Sequence, residues 1–387
     1  MRLLIVTNLY PPQELGGYGR SLADFAWGLQ ERGHHVDVIA AQAAYLGNDQ
    51  PGPSGETVWR ELQLLGSFEG GVSLLPDGPA RWAALEHNST IVRRRMRQGN
   101  YQGVLLGNLD LLGTELLHVL LEPGLPVVHH VGFVTPPFPA THYPRQANYH
   151  LVAASAAVRA SLTAAGLPVG AAPVVYPGAR VDLFGPSVTG RPIASAPVDG
   201  PLKVCFAGLL MSSKGAHTVL EAAALLQQRG LPVEVMLAGG RFQTDYASEL
   251  ERYAERVGLQ AQLQILGSLK RDQLARFFSL NHVAVFPSIY PEAFGIVAAE
   301  AMASGLALVS SGAGGAAELF EPELSGLLFQ PGDAADLARQ LQRLMEEPSL
   351  LMQLQQAGES RVREHFGVRR SVMQLERLFQ AYLPSSP

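Results

Sequence analysis

Apolar residues along this 387-residue chain fall into short continuous blocks separated by stretches of mixed polarity. In the first half, the blocks at residues 3–7, 35–40, 104–106, 127–128, 151–154 and 174–176 read as strands, and the first of them has the uninterrupted apolar run of a strand covered on both faces. Between them, residues 19–32, 82–97, 113–121 and 156–165 have helical spacing, and Gly33 and Gly166 stand where helix stops are expected. Strand, loop, helix, strand is a βαβ unit, so a parallel sheet flanked by helices is predicted. Residues 43–79 are rich in glycine, proline and serine and follow neither period.

The second half begins the same alternation again. Residues 203–207, 233–237, 263–266 and 283–286 read as strands, and 217–229, 248–257 and 272–279 as helices. Residues 286–318 read as strand end, loop, short helix, strand, and a glycine-rich loop opening another helix. The stretch between the halves, residues 185–201, is rich in Gly, Pro and Ser and has no apolar period, the composition of a linker. Near the end, Val368, Val372, Leu375, Phe379 and Tyr382 share one helical stripe. The predicted class is α/β, with two Rossmann-like doubly wound domains facing a cleft. The first spans residues 1–185, a linker 186–200, and the second 201–367, with the helix at 368–387 packing back on the first.

Composition narrows the class. Apolar residues make up 47% and charged residues 16%, ample for globular cores and unlike a disordered chain. The net charge of −5 lacks the basic excess of a nucleic-acid binder. Cys205 is the single cysteine, lies in an apolar run, and reads as a small buried residue. The apolar run after Met1 is too short for a signal-peptide core, and no membrane-spanning apolar stretch occurs, so a soluble cytoplasmic protein is expected. Arg93, Arg94, Arg95 and Arg97 suit either an acidic lipid surface or a solvated face at a helix C-terminus.

Candidate chemistry sits in the strand-to-helix turns, because the crevice between two such domains is the default ligand site. Gly16 and Gly17 let the first turn either approach an anion closely or simply turn tightly. The second strand runs into Ala41 and Gln42, with no acidic residue for a dinucleotide ribose. In the second half Gly208 opens a turn that ends in Lys214. Only three of the 29 basic residues are lysines, so an ammonium at a helix start points to a phosphate oxygen. Glu292 and Glu300 flank an apolar segment containing Phe294, Gly295, Ile296 and Val297. Their carboxylates suit paired sugar hydroxyls, or else an exposed helix face. His129 and His130 follow the strand at 127–128, and one of them is expected to serve the reaction. There is no D-x-D and no Cys/His cluster with metal spacing, so no metal is expected.

These residues match a family pattern. PSIYPEAFGIVAAEAMASGLALVSSGAGGAAE resembles the signature of family 4 glycosyltransferases, two glutamates with seven residues between them followed by A-M-A-x-G and G-G-x-x-E. The N-terminal MRLLIVTNLYPPQELGGYGRSLADFAWGLQERGHHVDVIA, the loop GLLMSSKG and the segment SGLLFQPGD are similar to the same family's landmarks in the same order. The resemblance implies the GT-B arrangement, a nucleotide-diphosphate sugar donor, transfer with retention, and no metal or other cofactor. It implies that Glu292 meets sugar hydroxyls, Glu300 ribose hydroxyls, and Lys214 the diphosphate. The amides of Phe294, Gly295, Ile296 and Val297 would meet sugar and phosphate. Gly17 would let the first loop approach the phosphates and acceptor, and the base would rest near Gly240 and Gly267. Two departures stand out. Leu209 occupies the family's usual arginine position, a contact worth about 2–4 kcal/mol to a developing diphosphate charge, with Arg241 or Arg20 as substitutes. The family's histidine falls nearer Gly132, so His129 and His130 are shifted candidates.

The resulting expectation is a metal-independent retaining hexosyltransferase acting on a small-molecule, glycan or lipid-linked acceptor. The alternatives are a nucleotide-sugar epimerase and a non-catalytic nucleotide-sugar-binding protein.

Overall fold

The computed structural model describes residues 1–48, 51–185, 200–243 and 245–383. The chain divides into two compact units, Met1–Pro177 with Val368–Pro387, and Gly178–Gly367.

In the first unit, strands β1 (Arg2–Val6), β2 (His35–Ala41) and β3 (Thr57–Leu62) precede a small antiparallel pair, β4 (Gly66–Ser67) and β5 (Ser73–Leu74). Strands β6 (Gly103–Leu106), β7 (Val127–Val131) and β8 (Tyr149–Ala153) follow. The main sheet is parallel with order β3-β2-β1-β6-β7-β8. Its helices are α1 (Tyr18–Glu31), α2 (Pro79–Gly99), α3 (Leu116–Leu121) and α4 (Ala156–Ala164). Leu3, Leu4, Ile5 and Val6 are wholly buried, as a strand between two helical layers requires.

The second unit repeats the plan. Strands β9 (Leu202–Ala207), β10 (Val233–Ala238), β11 (Leu263–Ile265), β12 (Val283–Phe286), β13 (Ala307–Ser310) and β14 (Leu327–Leu328) form a parallel sheet of order β11-β10-β9-β12-β13-β14. Helices α5 (Ala216–Gln228), α6 (Tyr246–Val257), α7 (Arg271–Ser279), α8 (Ile296–Ala303), α9 (Ala334–Glu346) and α10 (Pro348–His365) accompany it. In each sheet the order reverses once, between β1 and β6 and between β9 and β12, and ligands in open α/β sheets bind at such reversals.

The last helix, α11 (Val368–Tyr382), returns to the first unit as its stripe predicts. Val368, Val372, Leu375 and Phe379 are buried in one cluster with Leu3, Leu22, Phe25 and Leu29. Arg32 Nε donates to Glu376 at 2.7 Å, and His34 Nε2 lies 2.9 Å from the same carboxylate. The His150 ring stacks on Tyr382 with centroids 3.5 Å apart. Trimming Val372 to alanine removes two buried methyl groups. A loss of about 2 kcal/mol in chemical denaturation is expected.

Three expectations are corrected. The unit boundary falls after Pro177, not at 185. Residues past it pack with the second unit: Ala179 donates its amide to Phe366 O at 2.7 Å, and the Phe184 ring lies 6.1 Å from that of Phe278. The predicted linker at 186–200 lies outside the described residues, apart from Gly200. Residues 174–176 form no strand, only a single bridge from Val174 to Ala153. The glycine loop after β13 opens a short 3-10 turn, Gly315–Glu318, not an α-helix. Among the described residues, no helix is long and apolar enough to cross a membrane.

Candidate functional site

The reversal between β9 and β12 places two loops side by side. The loop after β9 runs through Gly208 and Leu209 to the turn Ser212–Lys214, and the loop after β12 runs from Pro287 to Gly295. The Ile289 amide donates to Ser213 O at 2.9 Å. Gly215, at φ 74, starts α5, and a Cβ there would lie 2.1 Å from Pro287 O. Only glycine lets the two loops approach this closely.

That approach brings Lys214 and Glu292 together. Lys214 Nζ donates to Glu292 Oε1 at 2.6 Å, with the lysine side chain 30% exposed and the glutamate 14%. Ser288 Oγ donates to the same Oε1. The backbone of Glu292 is held as well, its amide by Ala313 O at 3.0 Å and its carbonyl by the Gly315 amide at 2.7 Å. A cation and a hydrogen-bond acceptor are thus fixed at one end of the sheet, beside an open helix terminus. Gly295 caps α8, and Gly295, Ile296 and Val297 are only partly buried, so first-turn N–H groups without intrahelical partners stand there. Phe294 is buried with its ring 5.6 Å from Phe366, which anchors the loop.

The other predicted glycines form a backbone seam. The Gly208 amide donates to Ala238 O at 2.9 Å, the Leu210 amide to Gly240 O at 2.9 Å, and the Gly239 amide to Gly267 O at 2.7 Å. A Cβ on Gly239 would sit 1.7 Å from Gly208 O. The loops after β9, β10 and β11 are thereby stitched edge to edge. Arg241, offered as a stand-in for the arginine missing at Leu209, is half-exposed and paired with Glu251 at 3.1 Å. Arg20 lies in the first unit, 3.5 Å from Glu14.

Glu300 is wholly buried on α8, not a solvent-facing helix residue. Arg271, the first residue of α7, donates Nη2 to Glu300 Oε1 at 3.3 Å. Sequence reasoning missed Arg271 and Ser288. A charge at a helix start reads as solvated, and a loop serine carries no period. The spacing Ser288-x-x-x-Glu292 was the available signal.

In the first unit, Gly16 (φ 69) and Gly17 lie in the loop that leads into α1. The two histidines are corrected. Strand β7 continues through Val131, so His129 and His130 lie within it, both buried. His129 Nδ1 shares a 2.7 Å hydrogen bond with Tyr149 OH, and His130 Nε2 donates to Val175 O at 2.8 Å. Burial lowers His129 to a pKa of about 3, helped by its neighbour His130, and lowers His130 to about 4. Both are buried within the strand and neutral near pH 7.

This sets a pH dependence. Below the unfolded value of about 6.5 the unfolded chain takes up protons that the native state refuses. Stability is therefore complete above about pH 6.5 and declines as pH falls toward 4, by about 2 kcal/mol per histidine at pH 5. Thermal unfolding at pH 7.5 and 5 should show the drop, and His130→Asn should reduce it by about half, leaving the share of His129.

The arginine run does not offer a bare basic face. Arg93 pairs with Glu122 at 2.7 Å, while Arg94 and Arg95 both pair with Glu61, at 2.9 and 2.5 Å.

Residues 193–361 match the family described as glycosyl transferases group 1. The chain is 34% identical over 182 residues, 45% of its length, to D-inositol 3-phosphate glycosyltransferase of Mycobacterium leprae. That match spans only 41% of the relative's own length. A glycosyltransferase structure from Rickettsia africae ESF-5 superposes with a TM-score of 0.80 at 16% identity, covering 100% of this chain and 99% of that one. Anabaena HepE in complex with UDP-glucose gives 0.74 at 21% identity, covering 98% and 100%. The matched segment contains Lys214, Glu292 and Glu300, and the structural likeness extends over both units. Residues 193–361 thus carry the likeness to the glycosyl transferases group 1 family, and the chain has the two-unit Rossmann-like fold of GT-B glycosyltransferases.

Proposed function

We propose that the protein is a retaining glycosyltransferase that moves a sugar from a nucleoside-diphosphate donor to an acceptor hydroxyl. The observation that carries this reading is the contact between Lys214 and Glu292 at the β9/β12 reversal. An ammonium has three donors, so Lys214 can hold Glu292 and still reach a phosphate oxygen. The donor diphosphate rests on Lys214 and the first-turn N–H groups of α8, where developing negative charge is favoured. The sugar hydroxyls meet Glu292. The ribose diol reaches Glu300 by exchanging with Arg271 on its Oε1, and the base lies along the seam at Gly240 and Gly267. The leaving diphosphate oxygen takes the acceptor proton on the face it departs from, which retains the anomeric configuration. In this reading the diphosphate is neutralised by the chain itself, without a metal. The acceptor is a small molecule, a glycan or a lipid-linked sugar. The UDP-glucose held by the Anabaena neighbour makes a uridine diphosphate sugar the first donor to try.

The test is a panel of UDP-, GDP- and ADP-sugars, following free nucleoside diphosphate and the anomeric signal of the product. Slow donor hydrolysis without acceptor, and transfer with retention once an acceptor is supplied, are expected. Donor isomerisation without diphosphate release would identify an epimerase, and a thermal shift without turnover a binding protein.

A further inference from the structure

We infer that Ser288 is a positioning residue for the transfer reaction, holding Glu292 so that one carboxylate oxygen is committed to the protein and the other is presented to the sugar. The inference rests on the donor-site reading above and deepens it.

Ser288 stands two residues past β12 and is 1% exposed. A hydroxyl buried to that degree is costly unless it is hydrogen-bonded. The bond it makes is to Glu292 Oε1, the oxygen that also accepts from Lys214. Among the described residues Oε2 takes no hydrogen bond. The two oxygens are therefore unequal before any ligand arrives. Oε1 has two donors and Oε2 keeps its lone pairs for a substrate hydroxyl.

Ser288 is itself fixed. Ser311 Oγ, just past β13, donates to Ser288 O at 2.7 Å, and the Ser311 amide donates to Phe286 O at 3.1 Å. The chain of contacts runs from the rigid sheet through Ser311 and Ser288 to the carboxylate. Without the hydroxyl, Lys214 alone would orient Oε1, and Lys214 sits on a flexible four-carbon stem that the diphosphate also claims. When Lys214 shifts toward phosphate, Ser288 keeps the glutamate in place. A carboxylate held this way acts on a bound sugar without reorganising.

The experiment measures nucleoside diphosphate release from UDP-, GDP- and ADP-glucose and -mannose by wild type, Ser288→Ala, Glu292→Gln and the double variant. Affinity for free UDP, GDP and ADP and the thermal midpoint of each protein are measured alongside. A charged hydrogen bond lost from the active carboxylate should lower kcat/KM of Ser288→Ala by roughly ten- to a hundredfold, mostly in kcat. Affinity for the free diphosphates should stay within about twofold, because they carry no sugar for Glu292 to meet. The double variant should fall no more than about threefold below Glu292→Gln, since the serine acts through the glutamate. An effect of Ser288→Ala that multiplies fully with that of Glu292→Gln, or that weakens free diphosphate binding equally, overturns the inference and leaves a structural serine. So does full activity in Ser288→Ala. If Glu292→Gln itself releases diphosphate at the wild-type rate, or no donor is turned over by the wild type, the donor-site reading fails first.

Discussion

Replacing Lys214 by alanine is expected to lower turnover by about 10²–10³-fold, the scale of losing one preorganised charge contact to a leaving group. Two effects add. The ammonium proposed to meet the diphosphate is gone, and no arginine stands at Leu209 to share its load. In addition, Glu292 loses the cation 2.6 Å from its Oε1, so an uncompensated carboxylate is left where an anion must bind. The second effect gives the experiment its signature. Affinity for free diphosphate should drop in Lys214→Ala and recover in part when Glu292→Gln is added, because the repulsion is then removed. Calorimetric titration of the two variants with UDP decides the matter. A double variant that binds no better than the single one would show that the carboxylate does not face the anion.

The second large effect is that of Glu292→Gln on transfer itself, again about 10²–10³-fold. The substitution keeps the shape of the side chain but not its chemistry. If the amide oxygen takes the place of Oε1 and satisfies Lys214 and Ser288, the NH₂ group must stand where Oε2 was. A donor then confronts the sugar hydroxyl in place of an acceptor, and the negative charge near the anomeric carbon is lost. The thermal midpoint should change little, since the backbone of Glu292 stays clamped by Ala313 and Gly315. Unchanged single-turnover transfer in Glu292→Gln would remove this residue from the reaction.

Much of the molecule was legible in its sequence, for identifiable reasons. Runs such as residues 3–6 and 283–286 are buried on both faces, so their apolar character is uninterrupted and they announce themselves as parallel strands. The stripe of α11 was equally readable, because an amphipathic helix buries a fixed period. Lys214 and Glu292 were found by composition and spacing, and the fold brings them into contact across 78 residues of sequence.

What stayed hidden depends on contacts without a period. Strand β3 lies at the sheet edge with only Arg60 and Leu62 buried, too weak a pattern to pick out between glycines and prolines. His129 and His130 looked like loop residues because imidazole ended the apolar run. They can continue β7 because Tyr149 and Val175 satisfy their ring nitrogens. Arg271 and Ser288 acquire meaning only from the partners that tertiary structure supplies.

The return of α11 to the first unit has an architectural consequence. The second unit enters at Gly178 and leaves at Gly367, and these ends meet: Ala179 and Gly367 form one β-bridge. The second unit is thus an insertion, looped out of its host between two adjoining points, rather than the trailing half of a tandem pair. An inserted module with joined ends can be exchanged for another of like kind while the host's sheet and its closing helix stay intact. If the second unit holds the donor as proposed, replacing this one cassette would change donor preference and leave the host's fold unaltered.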